Sequence, residues 1–104
     1  TSYSGTGFDR GHNTPSADRT STVADNSATF LMTNMIPQSP SNNQQTWNEL
    51  EGYSRTLVSQ GNELYVIMGS YGIGGEGEIR SVTPYRQVYA ETIDQGRVTV
   101  PKRI

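Results

Sequence analysis

The sequence contains no cysteine, so neither a disulfide nor a thiolate metal site can form. That absence leaves the redox compartment open. Hydrophobic residues are few as well, at 32% of 104, and no run of them approaches the length of a membrane span. No membrane partner is expected. Residues 1–20 lack the basic-then-apolar order of a signal peptide, so any export signal would lie outside this chain. Positive charge is not in excess: 8 Lys and Arg stand against 10 Asp and Glu, a formal net charge of −2. Tight, non-specific duplex binding neutralises many phosphates and usually needs a basic surface, which counts against that role for this chain alone. Cleavage needs only a few cations around one phosphate, and the balance leaves it open.

What remains is enough for a folded domain. The charged fraction of 17% is too modest, and the strand patterns too regular, for a disordered tail. With 11 Gly and 5 Pro the molecule is expected to be loop-rich. The length suits one domain, or a piece of a larger one, burying roughly 60–65% of its unfolded surface. No internal repeat and no second domain is visible.

Along the chain, residues 1–8 read as loop or the approach to a strand, and residues 9–28 as a polar, turn-rich segment. Thr29 to Ile36 is a short apolar run closed by Pro37, which predicts a strand. Residues 38–42 form a loop. A helix is predicted from about Asn43 to Gln60, with Trp47, Leu50, Ser54, Leu57 and Val58 as one buried stripe. Asn42 or Asn43 can cap its start, and Gly61 is placed to end it. Residues 63–71 predict a buried strand, Gly72 to Glu78 a flexible loop without the lysine of a P-loop, and Arg97 to Ile104 the start of another strand. The chain ends there without a turn or cap, as a fragment would.

The single histidine, His12, sits in Asp9-Arg10-Gly11-His12. A lone histidine is ordinarily a solvent-facing or structural residue, and these neighbours give it more to do. Gly11 allows close backbone approach and Arg10 supplies a fixed positive charge. An imidazole near neutral pKa can take a proton from water, and an adjacent guanidinium can hold the phosphate that the water attacks.

A second group lies on the predicted helix. Asn43, Trp47, Glu51 and Arg55 are spaced by four, so each is displaced by about 40° from the last. Trp47 reads as core. Glu51 and Arg55 could equally be a surface ion pair worth a few tenths of a kcal/mol, and Asn43 a cap. Asn43 and Glu51 are about 12 Å apart along the helix, too far to share one ion comfortably. A metal at Asn43 would therefore engage Glu51 only through a water. Mg²⁺, which keeps several waters, suits such a site. Zinc does not, since there is one His, no Cys and no paired ligand spacing.

These pieces in this order resemble the DNA/RNA non-specific endonuclease family, the ββα-metal nucleases of the Serratia and cyanobacterial type. The likeness is carried by Asp9-Arg10-Gly11-His12 with Asn13-Thr14-Pro15-Ser16-Ala17-Asp18-Arg19, then Thr33-Asn34-Met35-Ile36-Pro37-Gln38, then Asn43, Trp47, Leu50-Glu51 and Arg55. The segment RVTVPKRI is similar to the family's next strand. The resemblance implies an α+β fold, with a ββα-metal finger on a mostly antiparallel sheet. Residues 1–104 would be a partial domain, its core at about 9–60.

By the same resemblance His12 is the general base, Asn43 the sole protein ligand of Mg²⁺ (Mn²⁺ substituting), and Glu51 the residue that orients metal-bound water. Arg10 and Arg55 match positions that contact phosphate, and Asn34 one that supports the site's geometry. DNA and RNA would be the substrates, with 5′-phosphate and 3′-hydroxyl products. Further partners would be the remainder of its own domain or a protein inhibitor. Location outside the cell or in the periplasm is a family expectation. The family has a further functional arginine upstream, which cannot be assigned here because only eleven residues precede His12. An endonuclease G-like mitochondrial enzyme of the same family is a rival reading, though its motif surroundings differ from NTPSADR. A rival of another class is a catalytically silent nucleic-acid-binding or interaction module, which would need none of His12, Asn43 and Glu51.

Overall fold

The computed structural model describes residues 2–104. Asp9–His12 forms β1 and Met35–Gln38 forms β2, paired antiparallel with Asp9 opposite Gln38 and His12 opposite Met35. Between them the chain makes a 3-10 turn at Ser16–Asp18, the short helix α1 at Val23–Ala28 and a second 3-10 turn at Met32–Asn34. Thr22 caps α1 by accepting from the Asp25 amide at 3.0 Å. The strand predicted from Thr29 to Ile36 is thus confined to its last residues and runs on through Pro37. The reason is local. The amides of Thr29, Phe30, Leu31 and Asn34 are spent on turn bonds to carbonyls three residues back. Pro37, which cannot donate, is tolerated because this ladder has only two strands.

The predicted helix is present, but it starts differently. Ser39, not Asn42 or Asn43, makes the cap: its Oγ accepts from the Asn42 amide at 3.1 Å and its carbonyl from the Asn43 amide at 3.0 Å. Pro40 follows, where a missing amide hydrogen costs nothing. Asn42–Thr46 then forms a widened π-type turn that leads into α2, Trp47–Ser59. Gly61 ends the helix as predicted, at φ 93°, with its amide on Val58 O and the Asn62 amide on Leu57 O. That pair of crossed bonds needs a left-handed residue, the conformation glycine adopts without cost.

Further on, β3 (Gly75–Ile79) pairs antiparallel with β4 (Arg86–Ala90), and β5 (Thr92–Ile93) with β6 (Val98–Thr99). The predicted glycine loop at 72–78 is therefore half strand, its glycines letting the N-terminal segment lie on the hairpin: the Glu78 amide donates to Gly7 O at 2.9 Å. Of the predicted strand 97–104 only Val98–Thr99 and a bridge from Arg103 to Tyr71 are formed. Tyr3, Phe8, Ile93 and Val100 make the buried cluster, with Val88, Ala90 and Val98 against it. The class is α+β and antiparallel, as expected, in three separate two-stranded pairs rather than one sheet.

Two expectations of burial fail. Residues 63–70 lie outside any strand, with Ile67 98% and Tyr65 86% exposed. The stripe on α2 is open too: Leu50 is 51% and Val58 52% exposed. Both segments are apolar enough to be covered, but among the described residues no strand or helix packs broadly over either. The radius of gyration, 14.8 Å, exceeds the roughly 13 Å of a close-packed domain of this length.

β1 and β2 meet closely at Gly11. A Cβ there would overlap the side-chain amide of Gln38. Gln38 is 2% exposed and its Oε1 accepts from Asn42 Nδ2 at 3.1 Å, so it has nowhere to swing. Gly11→Ala should therefore lower the unfolding free energy by about 1–3 kcal/mol. The urea midpoint of the full-length protein measures this; an unchanged midpoint would show that Gln38 yields freely.

Candidate active site

β1 presents His12, with Arg10 two residues earlier on the same side of the strand. The His12 ring stands edge-on to Phe30, centroids 4.9 Å apart and planes at 88°. Its Nε2 is buried and has no hydrogen-bond partner among the described residues. A buried ring nitrogen left open is costly and calls for explanation by function. Burial, first, and the Arg10 charge, second, push the His12 pKa below the ordinary 6.5. At neutral pH the imidazole is therefore uncharged and holds a free lone pair.

The helix side depends on the widened turn. In a regular α-helix Asn43 and Glu51 would stand about 80° apart around the axis; one residue absorbed by a π turn reduces that to about 20°. Asn43 then behaves as if one position later, on a line with Asn48, Glu51 and Arg55. Those four residues, with His12 and Ser16, line a cleft of about 240 Å³. Trp47, read from the sequence as core beside Leu50, faces a larger hollow of about 600 Å³, with Leu50, Phe8 and Val100 among its walls. That hollow is bigger and its walls include Glu76, Lys102 and Arg103, but His12 is not among them; the imidazole meets Asn43, Glu51 and Arg55 in the smaller cleft.

Within the cleft, Asn43 Nδ2 donates to Asp9 Oδ2 at 3.1 Å, leaving Asn43 Oδ1 available. The Glu51 pKa is raised above 4.5, first by burial; Arg55 opposes this and Asp18 reinforces it. Arg55 Nη1 meets Asp18 Oδ1 at 3.3 Å, both side chains part exposed. Such a pair is worth at most about 1 kcal/mol and can be exchanged for a phosphate. Asn43, Asn48 and Glu51 offer oxygen donors to a cation. Among the described residues no group of three His, Cys, Asp or Glu side chains could hold an ion by itself. The donor set fits a hard cation that keeps much of its water.

His12, Asn43, Glu51 and Arg55, four of the residues singled out in the sequence, thus line one cleft. Arg10 is exposed and outside the cleft lining, acting on His12 through its charge. Asn34 also lies outside it. Its Oδ1 accepts from the Thr14 amide at 2.9 Å, while Nδ2 donates to Thr14 O and Thr29 O at 2.9 and 2.8 Å. It closes the loop that β1 and β2 share. Three residues were not foreseen. Asn48 needs the π turn to be placed, and Phe30 depends on a long-range contact. Asp18 stands in a quoted motif but shows its role only against Arg55.

Residues 1–104 match the family profile described as DNA/RNA non-specific endonuclease. The chain is similar to a nuclease of Nostoc sp., 54% identical over 100 residues that cover 96% of this chain and 31% of that protein. It is similar to nuclease C1 of Cunninghamella echinulata at 37% identity, over 95% of this chain and 38% of that protein. Human mitochondrial endonuclease G matches at 42% over 64% of this chain and 23% of its own length. The chain thus spans between 23% and 38% of the length of these curated relatives.

The Asn34 arrangement is directly testable by amide hydrogen exchange. Asn34→Ala should deprotect the Thr14 amide, which bonds to the lost side chain. The Asn13 amide bonds to the Asn34 backbone carbonyl at 2.8 Å and should stay protected. Loss of both would mean that the whole loop unfolds rather than loosens.

Proposed function

The chain belongs to the DNA/RNA non-specific endonuclease family, and on that premise we propose that its cleft hydrolyses phosphodiester bonds of DNA and RNA with Mg²⁺. The observation that carries this is His12. It is an uncharged imidazole with an unpartnered Nε2, in a cleft shared with Asn43, Glu51 and Arg55. His12 Nε2 takes a proton from the water that attacks phosphorus. Arg55, released from Asp18, holds the phosphate, and Arg10 adds charge near it and keeps His12 deprotonated. Asn43 Oδ1 would hold the cation, Mg²⁺ or Mn²⁺. When bound it stabilises the negative charge that grows on the phosphate and leaving oxygen. Glu51 orders water within the cleft, and its partial burial strengthens that hold. As water adds to phosphorus, the bond to O3′ breaks and O3′ takes a proton from solvent water, giving 5′-phosphate and 3′-hydroxyl ends. These groups address phosphate and not base edges, which gives indifference to sequence.

Supercoiled plasmid and RNA should both be cut by the full-length protein in Mg²⁺ and spared in EDTA. His12→Ala should lose about 10²–10⁴-fold in rate. Retained cleavage by that variant would remove the general-base role, and no cleavage by the wild type would favour a silent binding module. The pH profile is fixed in sign. His12 acts only when neutral, so activity falls as pH drops through a pKa below 6.5. Arg10→Gln removes the second cause of that depression, and the acid limb should move up while staying below 6.5, because burial persists. A downward or absent shift would show that Arg10 does not act on His12.

A further inference from the structure

Asn43 and Gln44, neighbours in the widened turn, direct their amide nitrogens at one atom. Asn43 Nδ2 donates to Asp9 Oδ2 at 3.1 Å, and Gln44 Nε2 donates to the same oxygen at 2.9 Å. At the other end Arg80 Nη1 donates to Gln44 Oε1 at 2.9 Å. Arg80 is held in turn by Glu78, whose Oε1 also accepts from Ser41 Oγ at 2.9 Å. A continuous chain of hydrogen bonds therefore runs from the end of β3, through the widened turn, to the first residue of β1.

The polarity of this chain matters. A side-chain amide can turn over by half a revolution with little change of shape, exchanging its oxygen for its nitrogen. A guanidinium only donates and a carboxylate only accepts. Gln44, set between the two, has one orientation that satisfies both. Asn43 likewise has one orientation that satisfies Asp9, with nitrogen toward the carboxylate. Its oxygen is left over for the cleft, and oxygen is the atom a hard cation requires.

We propose that Asp9, anchored through Gln44 by Arg80, is a positioning residue that fixes the Asn43 amide with its oxygen available to the cation. The inference rests on the reading of Asn43 as the cation's ligand. It gives the first residue of Asp9-Arg10-Gly11-His12 a task separate from that of the last. It also assigns Arg80, far along the chain and outside every motif of the first fifty-five residues, a part in the same site.

The test is Mn²⁺ binding to the full-length protein, followed by the electron paramagnetic resonance of free Mn²⁺, beside the Mg²⁺ dependence of cleavage. Asp9→Asn keeps the size but can present a donor, so Asn43 loses its single orientation. Its Kd for Mn²⁺ should rise about 10–100-fold, as when a residue that orients a ligand is lost. The Mg²⁺ needed for half-maximal rate should rise with it, while the KM for substrate holds. Gln44→Leu should weaken Mn²⁺ binding less, in the same direction. Against an Asn43→Asp background, whose carboxylate presents oxygen in either orientation, Asp9→Asn should no longer weaken Mn²⁺ binding, which a merely structural role for Asp9 would not predict.

Wild-type Mn²⁺ binding in Asp9→Asn would overturn the proposal. So would an Asn43→Asp protein, its fold verified by circular dichroism, in which Asp9→Asn weakens Mn²⁺ binding as much as it does in the wild type. Asn43→Ala separates the two readings. If it loses Mn²⁺ while Asp9→Asn does not, only the positioning role fails. If it binds like the wild type, the cation is not on Asn43 and both fail.

Discussion

The site depends on one geometric constraint, the widened turn at Asn42–Thr46. A regular helix advances about 100° per residue, and no choice of side chains would then bring Asn43 into line with Glu51 and Arg55. Absorbing one residue in a π turn solves the alignment at the expense of helical hydrogen-bond geometry, which is why such turns are rare and concentrate at functional sites. The turn is not free to relax. Ser39 caps the chain just before it, and the side chains of Asn42, Asn43 and Gln44 are each tied to another element. Polar side chains here do the holding that apolar packing does in a core.

The same economy governs the strand side. β1 and β2 share only four residue pairs, and the excursion between them is long. Asn34 closes that excursion with a side-chain amide whose groups bond Thr14 on both of its backbone atoms and Thr29 on its carbonyl. Phe30, carried by the returning arm of the loop, supplies the edge contact that sets the His12 ring. An apolar residue that the sequence offers as strand core is thus used to hold the base. The ring's protonation state is set separately, first by its burial and second by the Arg10 charge, both of which lower its pKa.

How much of this was legible follows from what local sequence can encode. Gly61 was readable because a helix end needs a left-handed residue, and His12, Asn43, Glu51 and Arg55 were readable as a series of motifs. Ser39 was overlooked as the cap since Asn42 and Asn43 are equally good capping types, and only the hydrogen bonds distinguish them. The π turn has no sequence signature, so Asn48 was passed over, whereas Trp47, read as core with Leu50, does lie beside Leu50. The strand predicted at 63–71 failed for another reason. Apolar residues on both faces state that a segment prefers to be covered, but they do not supply the cover. At 75–79 the error is the reverse, as the glycines taken for a loop are met closely by other backbone, Gly77 by Gly7 and Gly75 by Pro101.

The helix α2 separates two regimes. One side carries Asn48, Glu51 and Arg55 into the polar cleft; the other carries Trp47 and Leu50 into the apolar hollow beside Val100. On the first side hydrogen-bond polarity specifies geometry, because a donor facing a donor is costly while small shifts in distance are tolerated. On the second side only area and shape matter, and much of that area is open. The cleft's geometry is therefore set within the ββα unit and Arg80, without help from the uncovered apolar surfaces. Whatever covers the hollow would stabilise α2 as a whole. It would leave the orientation of the Asn43 amide and the charge state of His12 to the contacts already present.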